Sequence, residues 1–451
     1  MSLKILKFWW TSLGDNKVIE KVFDIITNSY ENNQILVVVS AMSWVTNSLV
    51  EVVKNSQKWN IRKSKQIIKQ IESKHRDCLN SLFGSHEAEN IWKQSFQKEF
   101  SNLYSMIEGI YLLGELSDKN QAKILYFGEM LSSILVSKIL EYRWYHSLVC
   151  YSKDFLVTNK KYLNWEVDYA ATKRKTKNFF EKKDLAQTIP VITWFGWWDR
   201  NKNPVLLDRW WSDYVATILG NVLDADEAQI WTDVNGVYSS DPRIIKNPIL
   251  RDKVDYQIAA ELSLAGAKVL HPKTISPSKS KNIPILIKNT FCPQKKWSYI
   301  INDSSSGIKW INLNNNQILF HFKDNNMYQW IGYIHRVTDV FRNHKIPLDS
   351  FATSEVSFTC STNKDYINND LIKDLKKQSE FEIISEVAKI SIVGNNILDL
   401  WKIYSSIIKI LEKYNIYLLT QWSSFNNLTV FISQENSQEA LKKLHQKIFN
   451  N

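Results

Sequence analysis

The chain has 451 residues, of which 44% are hydrophobic and 23% charged, with a formal net charge of +11. That is a globular composition and excludes a disordered chain; the length exceeds one ordinary domain and points to two or three. No apolar run reaches the roughly 18 residues a membrane span needs. The four cysteines, Cys78, Cys150, Cys292 and Cys360, lie far apart with no C-x-x-C pair, and the histidines show no i, i+4 spacing. They read as reduced thiols of a cytoplasmic protein, with no disulfide framework and no zinc site. Lysine is spread along the chain beside abundant Asn and Ile, as an AT-rich gene produces. A basic run such as Lys173 to Lys183 therefore reads as a solvated helix face, and no nucleic-acid partner is expected.

In chain order, residues 4–8 read as a buried strand led by Met1 without a signal segment. A polar loop follows, and Ile19, Val22, Phe23 and Ile26 then recur with helical spacing. Residues 35–39 (ILVVV) form an apolar run suited to a parallel strand buried on both faces. This β-loop-α-β unit predicts an open α/β sheet with ligands at the carboxyl ends of its strands. Residues 55–145 look mostly helical, and strand-like runs return at 189–193, 229–234 and 284–288. Residues 293–316 are polar, and a linker is expected over 293–307. Two similar β-α-β-β units follow: QILFHF, a helix from Tyr333 to His344, LDSFATS and VSFTC; then AKISIVG, a helix from Leu398 to Tyr414, IYLLTQ and NLTVFIS, closed by a helix from Gln438 to Phe449.

Four groups of residues carry chemistry. Lys7, directly before Phe8-Trp9-Trp10, ends the first strand, where an ammonium and the following backbone N–H groups can hold a phosphate. The paired indoles of Trp9 and Trp10 oppose that, because bulk stands where backbone must approach oxygen. Arg209, in Arg209-Trp210-Trp211-Ser212-Asp213, offers a fork for a carboxylate, and Asp213 suits Mg²⁺ or an acceptor group. Thr232-Asp233 through Tyr238 to Arg243, and Gly266 to Pro272, are the other two. Each alone fits a solvated loop charge.

Together and in this order they resemble the aspartate kinase family. The family's K-F-G-G-T-S stands here as KFWWTS, and its V-S-A-M-S-G-V-T-N as VSAMSWVTN at 39–47. F-G-E-x-L-S-S is intact as FGEMLSS at 127–133, T-G-F-x-G reads TWFGW at 193–197, and R-G-G-S-D-Y reads RWWSDY at 209–214. WTDVNGVYSSDPR, GAKVLHP and TSEVS match directly, and QWSS at 421–424 corresponds to Q-G-S-S. KNTFCP and LDSFATSEVS resemble the branch that includes fused kinase–homoserine dehydrogenases, although no dehydrogenase region is expected after residue 451.

The resemblance implies a three-layer α/β/α amino-acid-kinase domain over 1–292 and two α+β ACT (ferredoxin-like) units over 308–385 and 386–451. It implies transfer of the γ-phosphoryl group of ATP to L-aspartate, with Mg²⁺ accompanying ATP and no metal site built by the protein. Lys7 and the backbone of Phe8, Trp9 and Trp10 would hold the phosphoryl group. Ser40, Thr46, Glu129, Arg209 and Ser212 would hold aspartate, with Lys7, Arg209 and Asp213 catalytic. Thr232, Asp233, Tyr238, Arg243, Lys268 and Val269 would line the ATP site. Met327, Asp349, Ser354 and Glu355 would take a feedback amino acid, lysine or threonine, in a homodimer or homotetramer.

The departure is in glycine. The chain has 12 Gly and 18 Trp, whereas average usage gives roughly 32 Gly at this length. Trp9, Trp10, Trp44, Trp194, Trp197, Trp210, Trp211 and Trp422 stand where the family has Gly, and Trp144, Trp165, Trp297, Trp310 and Trp401 are expected to do so. Trp231 matches a family Trp, while Trp59, Trp92, Trp198 and Trp330 are undecided. The favoured explanation is a UGA codon that means glycine in an AT-rich genome and has been read as tryptophan. A degenerate pseudokinase acting as an amino-acid sensor and a deliberately altered chain are the alternatives; a pseudokinase should also lose Lys7, Glu129 and Asp213, which are kept.

Overall fold

The computed structural model describes residues 1–14, 16–158, 167–193, 197–198, 204–205, 211–266, 270–324, 327, 332–397, 401–421 and 426–449, with backbone alone at 16, 197–198, 204–205, 211 and 401–403. Two compact units emerge, residues 1–237 with 252–256 and 269–302, and residues 238–251 with 257–268 and 303–451.

The strands of the first unit are β1 (Ser2–Phe8), β2 (Asn33–Val39), β3 (Ser147–Tyr151), β4 (Ile189–Thr193), β5 (Trp197–Trp198), β6 (Pro204–Val205), β7 (Glu227–Thr232), β8 (Lys253–Asp255), β9 (Ile285–Asn289) and β10 (Ser298–Ile301). β5 and β6 pair as a short antiparallel ribbon. The other eight form one sheet in the order β3-β4-β2-β1-β7-β9-β10-β8, parallel at each pairing except β9 with β10. The last five residues of β2 are all buried, so both faces of the sheet are covered, as its unbroken apolar run requires. The helix Asn16–Tyr30 buries Ile19, Val22, Phe23 and Ile26, the stripe visible in the sequence. The region 55–145 is helical: Val45–Gln57, Ile61–Phe83, Ser85–Ile91, Gln97–Leu113 and Asp118–Tyr142 follow one another. Asn60 and Ser117 cap two of these helices by accepting from the N–H groups of Lys63 and Asn120. Within the stretch expected as a linker, 293–307, Ser298–Ile301 forms strand β10. Its apolar residues are too few to stand out from a polar surround.

Two helix ends bear on the tryptophans. After Val45–Gln57, the N–H of Trp59 donates to Ser56 O and that of Asn60 to Asn55 O. After Asp118–Tyr142, the N–H of Trp144 donates to Glu141 O and that of Tyr145 to Leu140 O. Both are Schellman ends, which place one residue in the left-handed region and usually fill it with Gly. Here Trp59 and Trp144 fill it, with φ of 60° and 68°. True glycines end two neighbouring helices, Gly84 and Gly114, at φ of 74° and 66°.

The second unit contains β11 (Gly307–Lys323), β12 (Ser350–Thr353), β13 (Ser357–Asn363), β14 (Phe381–Asn395), β15 (Ile416–Thr420) and β16 (Asn427–Ser433). They form one antiparallel sheet in the order β12-β13-β11-β14-β16-β15. One core joins Ile318, Phe320 and Phe322 to Val337 and Phe341 of the helix Tyr333–Asn343 and to Leu371 and Leu375. A second joins Ile308, Ile311 and Leu313 to Ile390, Ile392, Leu411, Val430 and Leu444. The boundary between the two cores therefore falls inside β11. Residues 308–313, expected in the first ACT unit, pack in the second core. The pairing of β11 shifts register between Asn314 and Gln317, where the polar run Asn314-Asn315-Asn316 breaks the apolar alternation and lets one strand serve two cores. At the far end of the same pair, a Cβ on Gly394 would meet Gly307 O at 2.3 Å, so glycine is required there.

Candidate active site

The carboxyl ends of β1, β2 and β7 lie level at the middle of the first sheet, the position where open α/β sheets bind ligands. The Trp9 N–H donates to Trp231 O at 3.0 Å, and the Ser40 N–H donates to Phe8 O at 3.1 Å. Lys7, the penultimate residue of β1, points into the interior. Its Nζ is 2.7 Å from Asp213 Oδ1, and each side chain is 2% exposed. Asp213 sits in the first turn of the helix Trp211–Leu223, where free N–H groups and the helix dipole favour a carboxylate. Burial draws the Lys7 ammonium below its ordinary pKa, opposed first by Asp213 and then by Glu129. Ser40 donates to Ser212 Oγ at 3.2 Å, so the loop after β2 reaches the same helix start.

Glu129 is 3% exposed within the helix Asp118–Tyr142. Its neighbour Gly128 explains how the helix comes so close: a Cβ there would lie 3.1 Å from Ala41 Cβ and 3.3 Å from Leu49 Cδ1. Thr46 is half-buried in the first turn of Val45–Gln57. At the end of β7, Thr232 donates to Asp233 Oδ1 at 3.1 Å, while Thr232 O accepts from Thr290 N–H and Thr290 Oγ1 meets Ser12 Oγ at 2.7 Å. The structure thus gathers Lys7, Phe8, Trp9, Ser40, Ser212 and Asp213 at one point, with Glu129 close enough to act on Lys7. Arg209, Trp210, Lys268 and Val269 lie outside the described residues. Tyr238 and Arg243 belong to the second unit. Tyr238 forms an antiparallel bridge with Leu250. Arg243 is largely exposed, and its guanidinium meets Asp241 with Nε–Oδ1 at 3.0 Å and Nη2–Oδ2 at 2.6 Å.

Trp9 is the obstacle in this arrangement. Its Nε1 donates to Asp213 Oδ1 at 3.0 Å, and its ring centroid lies 4.9 Å from Lys7 Nζ. The indole thereby packs directly against the buried ion pair. Trp10 projects away, 52% exposed. Trp44, at the start of Val45–Gln57, takes φ of 57° and is 47% exposed; its ring meets the Lys74 ammonium at 4.6 Å. Trp231 and Trp92 behave otherwise. Trp231 is buried, stacks on Phe8 and donates from Nε1 to Gln229 Oε1 at 2.9 Å. Trp92 is buried in a right-handed backbone between Phe96, Phe100 and Arg76. Of the undecided tryptophans, Trp59 thus stands in a glycine conformation and Trp92 is an ordinary core aromatic.

Sequence reasoning missed Tyr126, whose hydroxyl donates to Thr193 Oγ1 at 3.2 Å; Thr193 Oγ1 also accepts from Ser152 N–H at 3.2 Å. The signal was its i, i+3 relation to Glu129, which puts both on one helix face. Of the candidate effector residues, Met327 follows β11, and Asp324 N–H ties that end to Val356 O beside Ser354 and Glu355. Asp349 lies at the opposite end of β12, where its N–H donates to Ser361 O and its carboxylate stands 3.5 Å from the buried Lys389 ammonium.

The sequence profile of the amino acid kinase family matches residues 3–289. The bifunctional aspartokinase/homoserine dehydrogenase of Buchnera aphidicola is 32% identical over all of this chain and 57% of its own length. The chain therefore spans just over half of that relative. The lysine-sensitive aspartokinase 3 of Escherichia coli is 25% identical over 99% of both chains. Crystal structures of E. coli aspartokinase III share the fold: the complex with aspartate and ADP has a TM-score of 0.84 at 24% identity, covering 99% of this chain and 100% of that one. The complex with lysine and aspartate has 0.85 at 24%, covering 99% of each.

Proposed function

The chain belongs to the amino acid kinase family, and from that premise we propose that it is an aspartate kinase, which converts ATP and L-aspartate into 4-phospho-L-aspartate and ADP. The observation that carries the reading is the buried Lys7–Asp213 pair at the carboxyl end of β1, beside a helix start. Likeness to the E. coli aspartokinase 3 over 99% of both chains supports the choice of aspartate.

The acceptor carboxylate is already a nucleophile. One of its oxygens forms the bond to the γ-phosphorus, the bond from that phosphorus to the β,γ-bridging oxygen breaks, and ADP leaves with the electron pair. No proton is abstracted, so the protein's task is positioning and charge neutralisation. Lys7 supplies positive charge to the transferring group beside the backbone of residues 8–10, of which the Trp9 N–H is already donated to Trp231 O. Lys7 shares its dry surroundings with two carboxylates, Asp213 and Glu129. That excess of negative charge suits the ammonium of aspartate, with Glu129 as its counter-ion. Arg209 clamps a carboxylate of aspartate, with Ser40, Thr46 and Ser212 beside it. Thr232, Asp233, Tyr238, Arg243, Lys268 and Val269 take the nucleotide. Mg²⁺ would neutralise phosphate charge; since Asp213 already pairs with Lys7, most of the ion's ligands would be phosphate and water oxygens. Among the described residues no helix is long and apolar enough to cross a membrane, which fits a cytoplasmic enzyme.

The ACT-type second unit supports a reading of feedback control, in an assembly of two or four copies joined through that unit. Lysine or threonine at millimolar levels should slow it; a rate that ignores both removes the regulatory reading. Light scattering that gives a monomer at micromolar concentration removes the assembly. The test of substrate is ADP release by the glycine-bearing chain with aspartate, glutamate and N-acetylglutamate in turn. Release with aspartate alone is expected, and preference for either of the others would move the enzyme to another branch of the family. The Trp9 indole over Lys7 favours a second reading for the chain with tryptophan in place: an amino-acid sensor that binds effector without turnover.

A further inference from the structure

The segment 238–251, which carries Tyr238 and Arg243, is fastened to the C-terminal helix Ser437–Phe449 by a buried polar contact. Ser239 Oγ lies 2.9 Å from His445 Nε2, with Ser239 fully buried and His445 3% exposed. Ser239 Oγ also accepts from Ile249 N–H at 2.9 Å, and its single hydrogen can be donated to Nε2. In that arrangement His445 is a neutral ring protonated at Nδ1. Burial and then the nearby Arg251 hold its pKa below the ordinary value, in keeping with that form. Three other contacts converge. Ile311 N–H donates to Ser239 O at 2.9 Å, adding the segment to β11. Ile245 is buried in the second core with Leu441 and Leu444. The Arg251 guanidinium sits 4.8 Å from the centroid of the Phe449 ring and donates to Lys309 O at 3.0 Å.

Packing alone would need only apolar groups. A buried serine–histidine bond adds direction, because it is satisfied in one register and costly in any other. We propose that His445 is a positioning residue for the nucleotide: through Ser239 it sets the segment that presents Tyr238 and Arg243. The helix Ser437–Phe449 then bears on ATP affinity through Ser239 and this segment. This rests on the proposal that the segment binds ATP.

The test uses the full glycine-bearing chain with Ser239→Ala, His445→Phe, the double variant and His445→Gln, whose amide can again accept from Ser239. Each of the first two should raise KM for ATP about fivefold, the equivalent of one ordinary hydrogen bond. The kcat and the KM for aspartate should hold. The double variant should be no worse than the singles, and His445→Gln should recover most of the loss. Lower thermal stability with an unchanged KM for ATP, or additive effects in the double variant, would overturn the proposal. Hydrogen exchange gives a second arm independent of turnover: amides of 238–251 should exchange faster in His445→Phe, and unchanged exchange would overturn it as well. A parent chain that phosphorylates no aspartate would remove the kinase reading instead, and the exchange arm would still decide the anchoring.

Discussion

Trp144→Gly should stabilise the protein. Trp144 occupies the left-handed residue of a Schellman end at φ of 68°, and its side chain is 95% exposed. A Cβ in that conformation costs about 1–2 kcal/mol, and glycine avoids it. With so little surface buried, removal of the indole gives up almost no packing. The greater freedom of glycine in the unfolded chain returns up to about 1 kcal/mol. The net expectation is a gain of about 1 kcal/mol, read as a higher urea midpoint at unchanged slope. Trp144→Ala separates the backbone from the side chain: it removes the ring but keeps the Cβ, so it should gain little. Trp59→Gly is the contrasting case, because its ring stacks edge-on against Tyr111 at 5.5 Å. Loss of that contact, worth about 0.5–1.5 kcal/mol, should cancel most of the relief. If Trp144→Gly is no more stable than Trp144→Ala, the backbone argument is refuted.

Lys7→Ala should abolish phosphotransfer and also destabilise the first unit by about 3–5 kcal/mol, since it strands buried Asp213 beside Glu129; a variant of unchanged stability would mean that the pair is wet. His75 is fully buried, donates from Nδ1 to Ile71 O, and has its pKa drawn by burial to about 4. The unfolded chain takes up that proton near pH 6.5 and the folded chain only near 4, so the contribution is whole above pH 6.5 and declines as pH falls. The expected loss is about 2 kcal/mol between pH 7 and pH 5, and it should vanish in His75→Leu; equal slopes in both proteins would contradict it. In the coding DNA, UGA is expected at Trp9, Trp10, Trp44, Trp59, Trp144, Trp194, Trp197, Trp210, Trp211 and Trp422, with UGG at Trp92 and Trp231. UGG throughout would leave a degenerate or altered chain.

The elements legible in the sequence were those whose apolar pattern had one reading. Residues 35–39 could only be a strand covered on both faces, and Ile19 to Ile26 only a helix stripe, and both formed as read. The short pieces were not legible. β10 has three apolar residues in a polar surround, and the helix Asn369–Lys376 has only Leu371, Ile372 and Leu375 with an Asn368 cap to announce it. The division inside β11 was hidden because alternation continues on both sides of Asn314-Asn315-Asn316, and register is settled by distant partners. For the site, the motifs named Lys7 and Asp213, but only the structure gives their separation and the indole across them. The glycine deficit was countable in the sequence, yet Trp59 and Trp92 could be told apart only by backbone conformation and burial.

The most direct test is acyl phosphate formation, trapped by hydroxylamine, by two proteins side by side: the printed chain and the chain with glycine at positions 9, 10, 44, 59, 144, 194, 197, 210, 211 and 422. The account predicts ATP- and Mg²⁺-dependent aspartyl hydroxamate from the glycine chain, lost in its Lys7→Ala variant, and none from the printed chain, where Trp9 covers Lys7. A folded glycine chain that forms no aspartyl hydroxamate, or a printed chain that forms as much, would contradict it.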